Sequence, residues 1–432
     1  MKLVVHDFAG HPGQLQLSRE LARRGHVVEH HYCQSVPTGQ GATTWRADDP
    51  ASFSIHGIAL KTEYARYSPA RRILQELKYS WLSLRAIFVG EHPDAVIVAN
   101  FPILPLFVVV LVLRLRGIPY ILWWQDVYSE AVATAARKKL GLIGGGVAWI
   151  ADRLERTIAH LATSIVPIAD TFVDRLSSWG ISDEKVRVIP NWGALDEVPV
   201  KSRNNRWSEA HGLNDYTVLM YAGTLGLKHD PSIIAKLART APTGCVIVVV
   251  SQGKGRDWLE NNCQDVDNLI LLDYQPYDQL PEMLASADIF LVILEPDASR
   301  YSVPSKMLNY FCAERPVLAL LPSDNAAAQM LEEASAGVVR ASGDMAGAQE
   351  ALHRLSAQPE LRRQLGSDGR RYAERVFDIK NVGDKFETVI RYALRQSNSL
   401  HQESETARPS DGRAGNLDVR ETTGGTEYDR QN

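Results

Sequence analysis

The residues best suited to bind an anion lie in the stretch 301–322, which reads YSVPSKMLNYFCAERPVLALLP. Pro304 predicts the first turn of a helix, because the N–H that proline lacks would have no partner there. Ser302 can cap that turn through its hydroxyl. Three polar residues that are three or four positions apart share one face of this helix: Ser305, Lys306 and Asn309. The free N–H groups at the helix start and the lysine charge together favour a phosphate group. An ordinary capped helix is the alternative.

Apolar runs on both sides of this stretch predict the elements that position it. Residues 288–294 and 316–321 read as buried parallel strands, so the helix begins at the carboxyl edge of a sheet. Similar runs recur along the chain, and the other predicted strands cover 3–5, 26–30, 95–99, 119–124, 164–168, 185–189, 217–221, 246–250, 268–272 and 337–340. Two successive series of strands and helices predict an α/β protein with two Rossmann-like, doubly wound domains that face a central cleft.

The composition agrees with this organisation. The chain has 432 residues, 45% of them apolar, and a net charge of −4, which gives no sign of nucleic-acid binding. Its four cysteines are far apart, so neither a zinc site nor a disulfide framework is expected, and a reducing cytosol fits best: Cys33, Cys245, Cys263 and Cys312. The N-terminus MKLVVHDF lacks a signal-peptide core. The longest apolar run, 103–113, is too short to span a bilayer. We therefore expect a cytoplasmic protein.

Changes in composition predict the domain boundaries. The first domain covers 1–195, a polar linker covers 196–214, and the second domain covers 215–378. A C-terminal helix over 379–396 is expected to pack back on the first domain. The segment 397–432 has few apolar residues and is expected to be disordered.

Two loops of the first domain carry candidate site residues. The loop DFAGHPGQ places Gly10 and Gly13 at the first strand-to-helix turn, where glycine lets a ligand approach the backbone. A purely structural turn is equally compatible. The segment WWQDVYSEA places Gln125, Asp126 and Glu130 at the carboxyl edge of a strand. A carboxylate there is either a catalytic base or a cap for the next turn.

The segment 67–90 reads as a basic helix with an apolar stripe. The stripe contains Ile73, Leu77, Trp81, Leu84 and Phe88, and four cations lie beside it: Arg71, Arg72, Lys78 and Arg85. Such a helix can rest on an anionic membrane surface. A core helix with a solvated basic face is the alternative.

Several motifs are similar, in order and spacing, to those of a known family. The second half contains YAGTLGLKHD, VIVVVSQGKG, NLILLDYQPYDQLPEMLASADIFLVIL and VPSKMLNYFCAERPVLAL, and the first half contains GHPGQLQLSRELARRGHVV, LWWQDVYSEA and SWGISDEKVRVIPNWG. Together they resemble the family 4 retaining glycosyltransferases, with bacterial exopolysaccharide and O-antigen sugar transferases as the most similar group. The resemblance covers most of the chain outside the tail.

This resemblance implies the GT-B fold, with the acceptor on the first domain and a nucleotide-sugar on the second. It implies a hexosyltransferase-type enzyme of class EC 2.4 that retains the configuration at the anomeric carbon and needs no metal or other cofactor. A UDP-sugar is the favoured donor. The acceptor would be a glycan or a polyprenyl-linked intermediate of cell-surface polysaccharide biosynthesis, reached from the cytoplasm by peripheral contact with the inner face of the plasma membrane.

The resemblance also assigns roles to residues. Lys228 and Lys306 would stabilise the leaving diphosphate, and Asp126 would orient or deprotonate the acceptor hydroxyl. The donor-binding set would be Gly13, Gly223, Thr224, His229, Tyr274, Gln275, Ser302, Val303, Pro304, Ser305 and Asn309. Departures from the family pattern fall at Tyr301 and Asn309, where the family commonly has glutamates, and at Thr224, where it has an arginine.

Two other functions are compatible with the same fold. A sugar-nucleotide epimerase would act on the nucleotide-sugar without any acceptor. A non-catalytic partner protein would bind the nucleotide-sugar without transferring it, and the missing glutamates favour this reading over the first. Turnover without an acceptor would indicate the epimerase, and donor binding without any transfer would indicate the partner protein.

Overall fold

The computed structural model describes residues 1–36, 40–41, 43–62, 64–65, 68–141, 143–226, 229–295 and 305–406. Within these residues the chain forms two parallel six-stranded sheets, each with helices on its faces. The predicted α/β architecture with two Rossmann-like domains is therefore confirmed. The central strands of both sheets are buried, as expected for parallel strands that helices cover on both sides, whereas most residues of three of the edge strands are only partly buried or exposed.

The first sheet has the strand order β3-β2-β1-β4-β5-β6. Its strands are β1 (Lys2–Asp7), β2 (Val27–Cys33), β3 (Phe53–Ile58), β4 (Ala95–Ala99), β5 (Tyr120–Trp124) and β6 (Ser164–Pro167). Its helices are α1 (Pro12–Arg23), α2 (Pro69–Ile87), α3 (Ile103–Leu115), α4 (Tyr128–Leu140), α5 (Ile143–Leu161) and α6 (Thr171–Ser178). A 3₁₀ turn, Asp183–Lys185, and a short helix, α7 (Arg206–Ala210), lead to the second sheet.

The second sheet has the strand order β12-β11-β10-β7-β8-β9. Its strands are β7 (Thr217–Ala222), β8 (Cys245–Val250), β9 (Leu269–Leu272), β10 (Ile289–Ile293), β11 (Val317–Leu320) and β12 (Gly337–Arg340). Its helices are α8 (Pro231–Arg239), α9 (Lys254–Asn262), α10 (Leu280–Ala285), α11 (Lys306–Cys312), α12 (Ala326–Glu333), α13 (Met345–Ala357) and α14 (Pro359–Val376), with a 3₁₀ turn at Tyr277–Gln279.

The last helix, α15 (Ile379–Thr406), packs against α1 and the first sheet. The Phe386 ring lies 4.8 Å from the Trp123 ring, measured between centroids. Arg24, just after α1, pairs with Asp384 at 2.6 Å. The chain thus returns from the second domain to the first, which connects the two domains a second time.

Four elements differ from the sequence predictions. Strand β3 was not predicted, because its sequence FSIHGI interrupts the apolar pattern with His56 and Gly57. The predicted strand at 185–189 is wrong: in the described chain this segment runs beside β6 with a single bridge, between Ile165 and Val186. Helix α4 was also missed, and α15 extends ten residues beyond 396. Residues 407–432 lie outside the described chain.

Among the described residues, no helix is both long enough and apolar enough to cross a membrane. The sequence analysis likewise expects that the run 103–113 does not span a bilayer. These residues form part of α3, and the buried ones pack against the first sheet.

Candidate functional site

The ammonium group of Lys306 is the central charge at the carboxyl edge of the second sheet. Its Nζ donates a hydrogen bond to the Tyr221 hydroxyl at 2.5 Å and lies 3.8 Å from the centroid of the same ring. Burial lowers the pKa of Lys306 to about 7. A cation that is so poorly solvated gains much from an anionic ligand, since the ligand would replace the water that the site excludes.

Gly223 lets the loop after β7 approach this lysine. Its φ is +132°, a backbone conformation that favours glycine, and a Cβ at this position would lie 3.3 Å from Cε of Lys306. The Tyr221 hydroxyl in turn donates to the Thr224 carbonyl at 2.9 Å. Thr224 therefore lies in the same cluster as Lys306, as the sequence predicted.

Hydroxyl groups from neighbouring loops extend this cluster. Oγ1 of Thr224 and the hydroxyl of Tyr274, which follows β9, share a hydrogen bond of 2.5 Å. Ser251, after β8, accepts the N–H of Leu225 at 3.0 Å and so fixes the same loop. Three consecutive strands of the sheet thus contribute to one surface that offers a cation and several hydroxyl groups.

The remaining predicted donor residues differ in their positions. Nδ1 of His229 accepts the Gly226 N–H at 3.2 Å, which holds the end of the loop after β7. Gln275 instead accepts the indole N–H of Trp207 at 3.2 Å and bonds the Asp273 carbonyl, so its amide supports the linker. Ser305 and Asn309 lie on the partly exposed side of α11, next to Lys306. Four predicted site residues lie outside the described chain: Lys228, Ser302, Val303 and Pro304.

The carboxyl edge of the first sheet is organised around the buried carboxylate of Asp7. It accepts the backbone N–H of His11 at 2.5 Å and the side-chain amide of Asn100 at 2.7 Å. Burial raises the pKa of Asp7, while the charge of His11 and these hydrogen bonds oppose the rise. Asn100 has a φ of +56°, and its carbonyl accepts the Tyr128 hydroxyl at 3.2 Å. These contacts fix the loop that leads to Gly13.

Asp126 lies between β5 and α4, partly exposed at this edge. Burial raises the pKa of Tyr128, and the negative charge of the neighbouring Asp126 raises it further. Val127 is the N-cap residue of α4, directly after Asp126. The carboxylate of Glu155 accepts the first N–H groups of this helix, from Tyr128 and Ser129, each at 3.0 Å.

The segment 190–193 joins the two edges. Asn191 exchanges two hydrogen bonds with Gln125, of 2.6 and 3.0 Å. A Cβ on Gly13 would lie 3.9 Å from the Trp192 ring, and a Cβ on Gly193 would lie 2.7 Å from the Leu308 carbonyl of α11. The loop of Gly13 and the helix that begins at Lys306 therefore face the same segment. This arrangement brings the acceptor-side and donor-side predictions to one cleft.

Sequence reasoning missed several residues that shape this cleft. Tyr221 was assigned only to a strand, although its position at the strand end places its hydroxyl at the sheet edge. Glu155 and Asn100 gave no signal, because each acts on a loop distant in sequence. Asn191 lies in the motif SWGISDEKVRVIPNWG, where the resemblance assigns it no role.

Comparison with known proteins was consistent with these observations. Residues 11–192 match a family model described as "Glycosyl transferase 4-like domain". No curated protein matches the sequence significantly.

Solved structures resemble nearly the whole chain. Anabaena HepE in complex with UDP is 13% identical, covers 90% of this chain and 100% of its own, and has a TM-score of 0.62. Sucrose-phosphate synthase from Thermosynechococcus elongatus is 14% identical, with coverages of 94% and 100% and a TM-score of 0.65. WaaG, a glycosyltransferase involved in lipopolysaccharide biosynthesis, is 18% identical, with coverages of 90% and 99% and a TM-score of 0.60. The chain therefore has the predicted GT-B fold, and the matches together support a glycosyltransferase.

Proposed function

We propose that this protein is a retaining, metal-independent glycosyltransferase that moves a sugar from a UDP-sugar to a glycan or polyprenyl-linked acceptor in cell-surface polysaccharide biosynthesis. The observation that carries the proposal is the buried ammonium of Lys306 among the hydroxyl groups at the edge of the second sheet. The solved structures of HepE with UDP and with UDP-glucose, which have the same fold, support a uridine nucleotide as the ligand.

The donor side stabilises the leaving group. As the bond between the anomeric carbon and the diphosphate oxygen breaks, its electron pair stays on the diphosphate. Lys306, in its ammonium form, faces this growing negative charge in a site of low polarity, where one such contact is worth about 10²–10³ in rate. Thr224 and Tyr274 supply hydroxyl donors beside it. No metal is needed to neutralise the charge.

The acceptor side supplies the nucleophile. The acceptor hydroxyl approaches the face of the sugar from which the diphosphate departs, so the configuration is retained. Its proton passes to an oxygen of the leaving phosphate, either directly or by way of the carboxylate of Asp126, which also orients the hydroxyl. The fixed loops around Asp7 and Glu155 hold this carboxylate in position, which reduces the ordering needed at the moment of reaction.

A nucleotide screen tests the proposal. UDP, GDP, TDP and ADP are each added to the full chain in thermal unfolding, followed by their sugar conjugates. We expect UDP and at least one UDP-sugar to raise the melting temperature most, since a ligand that binds only the folded state stabilises it. EDTA should leave these shifts unchanged. If none of the four nucleotides raises the melting temperature, the donor assignment is wrong.

The outer surface of α2, α3 and α5 supports contact with an anionic membrane. The apolar stripe predicted on α2 points outward from Ile73 to Trp81, and Trp81 is 59% exposed. Trp149 on α5 is 61% exposed. The Arg85 guanidinium lies 5.8 Å from the Trp81 ring centroid, and that of Arg153 lies 5.4 Å from the Trp149 ring centroid. Other exposed apolar residues of this surface are Ile73, Leu74, Leu77, Leu111, Leu115, Ile143, Val147 and Ile150.

This surface combines the two features of peripheral membrane proteins. Aromatic side chains favour the headgroup level of a bilayer, and each nearby cation adds about 1 kcal/mol on an anionic surface. The core-helix alternative for the stripe does not account for the exposure of Trp81.

Vesicle flotation tests the membrane contact. We expect binding to vesicles with anionic lipid, release by salt, and loss of binding in the double variant Trp81→Ala/Trp149→Ala. Trp45→Ala is the matched control, because Trp45 is also 61% exposed but lies outside this surface. The residue before it, Thr44, accepts a hydrogen bond from Arg19 of α1 through its carbonyl. Equal and negligible flotation with neutral and anionic vesicles would contradict the proposal.

A further inference from the structure

Glu29, His31 and His56 lie together on one face of the first sheet. Glu29 and His31 are two positions apart on β2, and His56 on β3 is the register partner of His31, so all three side chains leave the sheet on the same side. The His31 and His56 rings meet edge-on, with centroids 5.2 Å apart. One ligand-type atom from each residue lies within 4.8 Å of the others.

The three residues line an open pocket of about 420 Å³ between the edge of the sheet and the end of α2. Leu82, Ala86 and Val89 form its apolar wall. The His31 side chain is only 1% exposed, and within the described chain its Nδ1 has no hydrogen-bond partner. The other ring nitrogen, Nε2, faces the Glu29 carboxylate and is the one available to a metal ion.

The spacing of the ligand atoms fits a metal ion. Nε2 of His31 lies 3.4 Å from Oε2 of Glu29, which is long for a good hydrogen bond. Metal–ligand bonds of about 2.0–2.1 Å at tetrahedral angles place neighbouring ligand atoms about 3.3 Å apart. His56 is exposed, and its Nε2 lies 3.1 Å from the Ser54 hydroxyl. Turning its ring toward the same point would exchange this hydrogen bond for a bond to the metal.

We propose that Glu29, His31 and His56 form a site for a divalent transition-metal ion, with Zn²⁺ favoured by the two imidazoles and one carboxylate. The ion fastens the edge strand β3 to β2, and the open pocket leaves its fourth position to water. This inference departs from the sequence-based expectation of no metal, which rested on the cysteines. It is independent of the proposed transferase chemistry.

Two cations near the pocket should lower its affinity for a metal ion. The Lys2 ammonium pairs with Oε1 of Glu29 at 3.0 Å, which leaves Oε2 for the metal. Arg85 also lines the pocket. Both repel a metal ion, so removing the nearer charge should strengthen binding.

Calorimetric titration of the full chain with Zn²⁺, without a polyhistidine tag and after treatment with EDTA, tests the proposal. We expect one equivalent to bind to the wild type, and His56→Ala or Glu29→Gln to weaken it by about tenfold or more. Lys2→Gln should tighten it. His353→Ala, at an exposed histidine of α13 in the second domain, is the matched control and should bind as the wild type does.

Thermal unfolding gives a second measurement that does not depend on catalysis. Zn²⁺ should raise the melting temperature of the wild type and of His353→Ala, but not that of His56→Ala. Co²⁺ in the wild type should give the intense visible absorption of a tetrahedral site. Either of two results would overturn the proposal: the absence of stoichiometric binding to the wild type, or equal affinity in the wild type, His56→Ala and Glu29→Gln.

Discussion

The two sheet edges that face the cleft differ in how their polar groups are satisfied. At the first edge, buried carboxylates are used within the protein: Asp7 holds His11 and Asn100, and Glu155 holds the start of α4. At the second edge, Lys306 has a phenol oxygen as its partner, and its pKa is lowered to about 7 by burial. The charges of the first edge hold loops in place. The second edge keeps a cation that, in the proposed function, pairs with the negative charge of the ligand.

The largest expected effect comes from removing that charge. Lys306→Ala should lower the transfer rate by about 10²–10³, because the cation stabilises charge that grows as the glycosidic bond breaks. Donor affinity should fall much less, since part of the charge is absent in the ground state. Transfer assays and calorimetry of UDP binding separate the two quantities. Lys236→Ala, at an exposed position on α8, is the control. Wild-type turnover in Lys306→Ala would contradict the assignment.

Asp126→Asn tests the first edge with a smaller expected loss. Transfer should fall by about a hundredfold, the lower end for a general base, because the phosphate oxygen shares the removal of the proton. UDP binding should stay unchanged, since the residue belongs to the acceptor side. Asp174→Asn, on the exposed face of α6, is the matched control. A parallel loss of UDP affinity in Asp126→Asn would place this residue on the donor side instead.

The lowered pKa of Lys306 predicts how donor binding depends on pH. In the free protein about half of the molecules carry a neutral amine at pH 7, because the pKa is about 7. A bound diphosphate raises this pKa toward the ordinary lysine value, so binding takes up a proton. Affinity for UDP should therefore fall between pH 7 and pH 9, by up to about tenfold per unit. Calorimetry should show a much flatter profile for Lys306→Ala. Equal slopes in the two proteins would show that another group titrates.

The sequence predicted the donor edge better than the acceptor edge for a physical reason. Gly223 and Thr224 follow β7 directly, and Lys306 begins the helix that comes after β10, so the α/β pattern alone places all three at one sheet edge. The acceptor edge depends on Glu155 and Asn100, whose partners are up to 93 residues away, as for Asn100 and Asp7. Strand β3 was missed because His56 and Gly57 interrupt the apolar pattern on which strand prediction depends. Polar groups whose hydrogen-bond partners are distant in the chain give no signal in the local sequence.

Glu155→Gln tests whether this preformed scaffold contributes to stability. The glutamine amide can accept from one of the two helix N–H groups but presents an NH₂ to the other. One buried donor is then left unsatisfied, which costs about 1–3 kcal/mol. Denaturant unfolding should show this loss, and transfer should fall by less than in Asp126→Asn. Burial raises the pKa of Glu155, so the stability of the wild type should rise as the pH falls through that raised pKa, and Glu155→Gln should lack this rise. Unchanged stability would mean that water or backbone movement replaces the cap.

The smallest expected effect concerns the end of the chain, where three truncations are compared. The segment 407–432 contains few apolar residues, too few to offset the entropy of ordering it, so its deletion should leave the melting temperature and the transfer rate unchanged. Deletion from 397 tests the end of α15, whose Ser397 hydroxyl reaches the Gly117 carbonyl at 3.4 Å. A single exposed-edge hydrogen bond contributes about 1 kcal/mol, so this cut should lower stability only slightly. Deletion from 379 removes Phe386 from Trp123 and should unfold or disable the protein. A large loss after the cut at 407 would show that the final segment docks on one of the two domains.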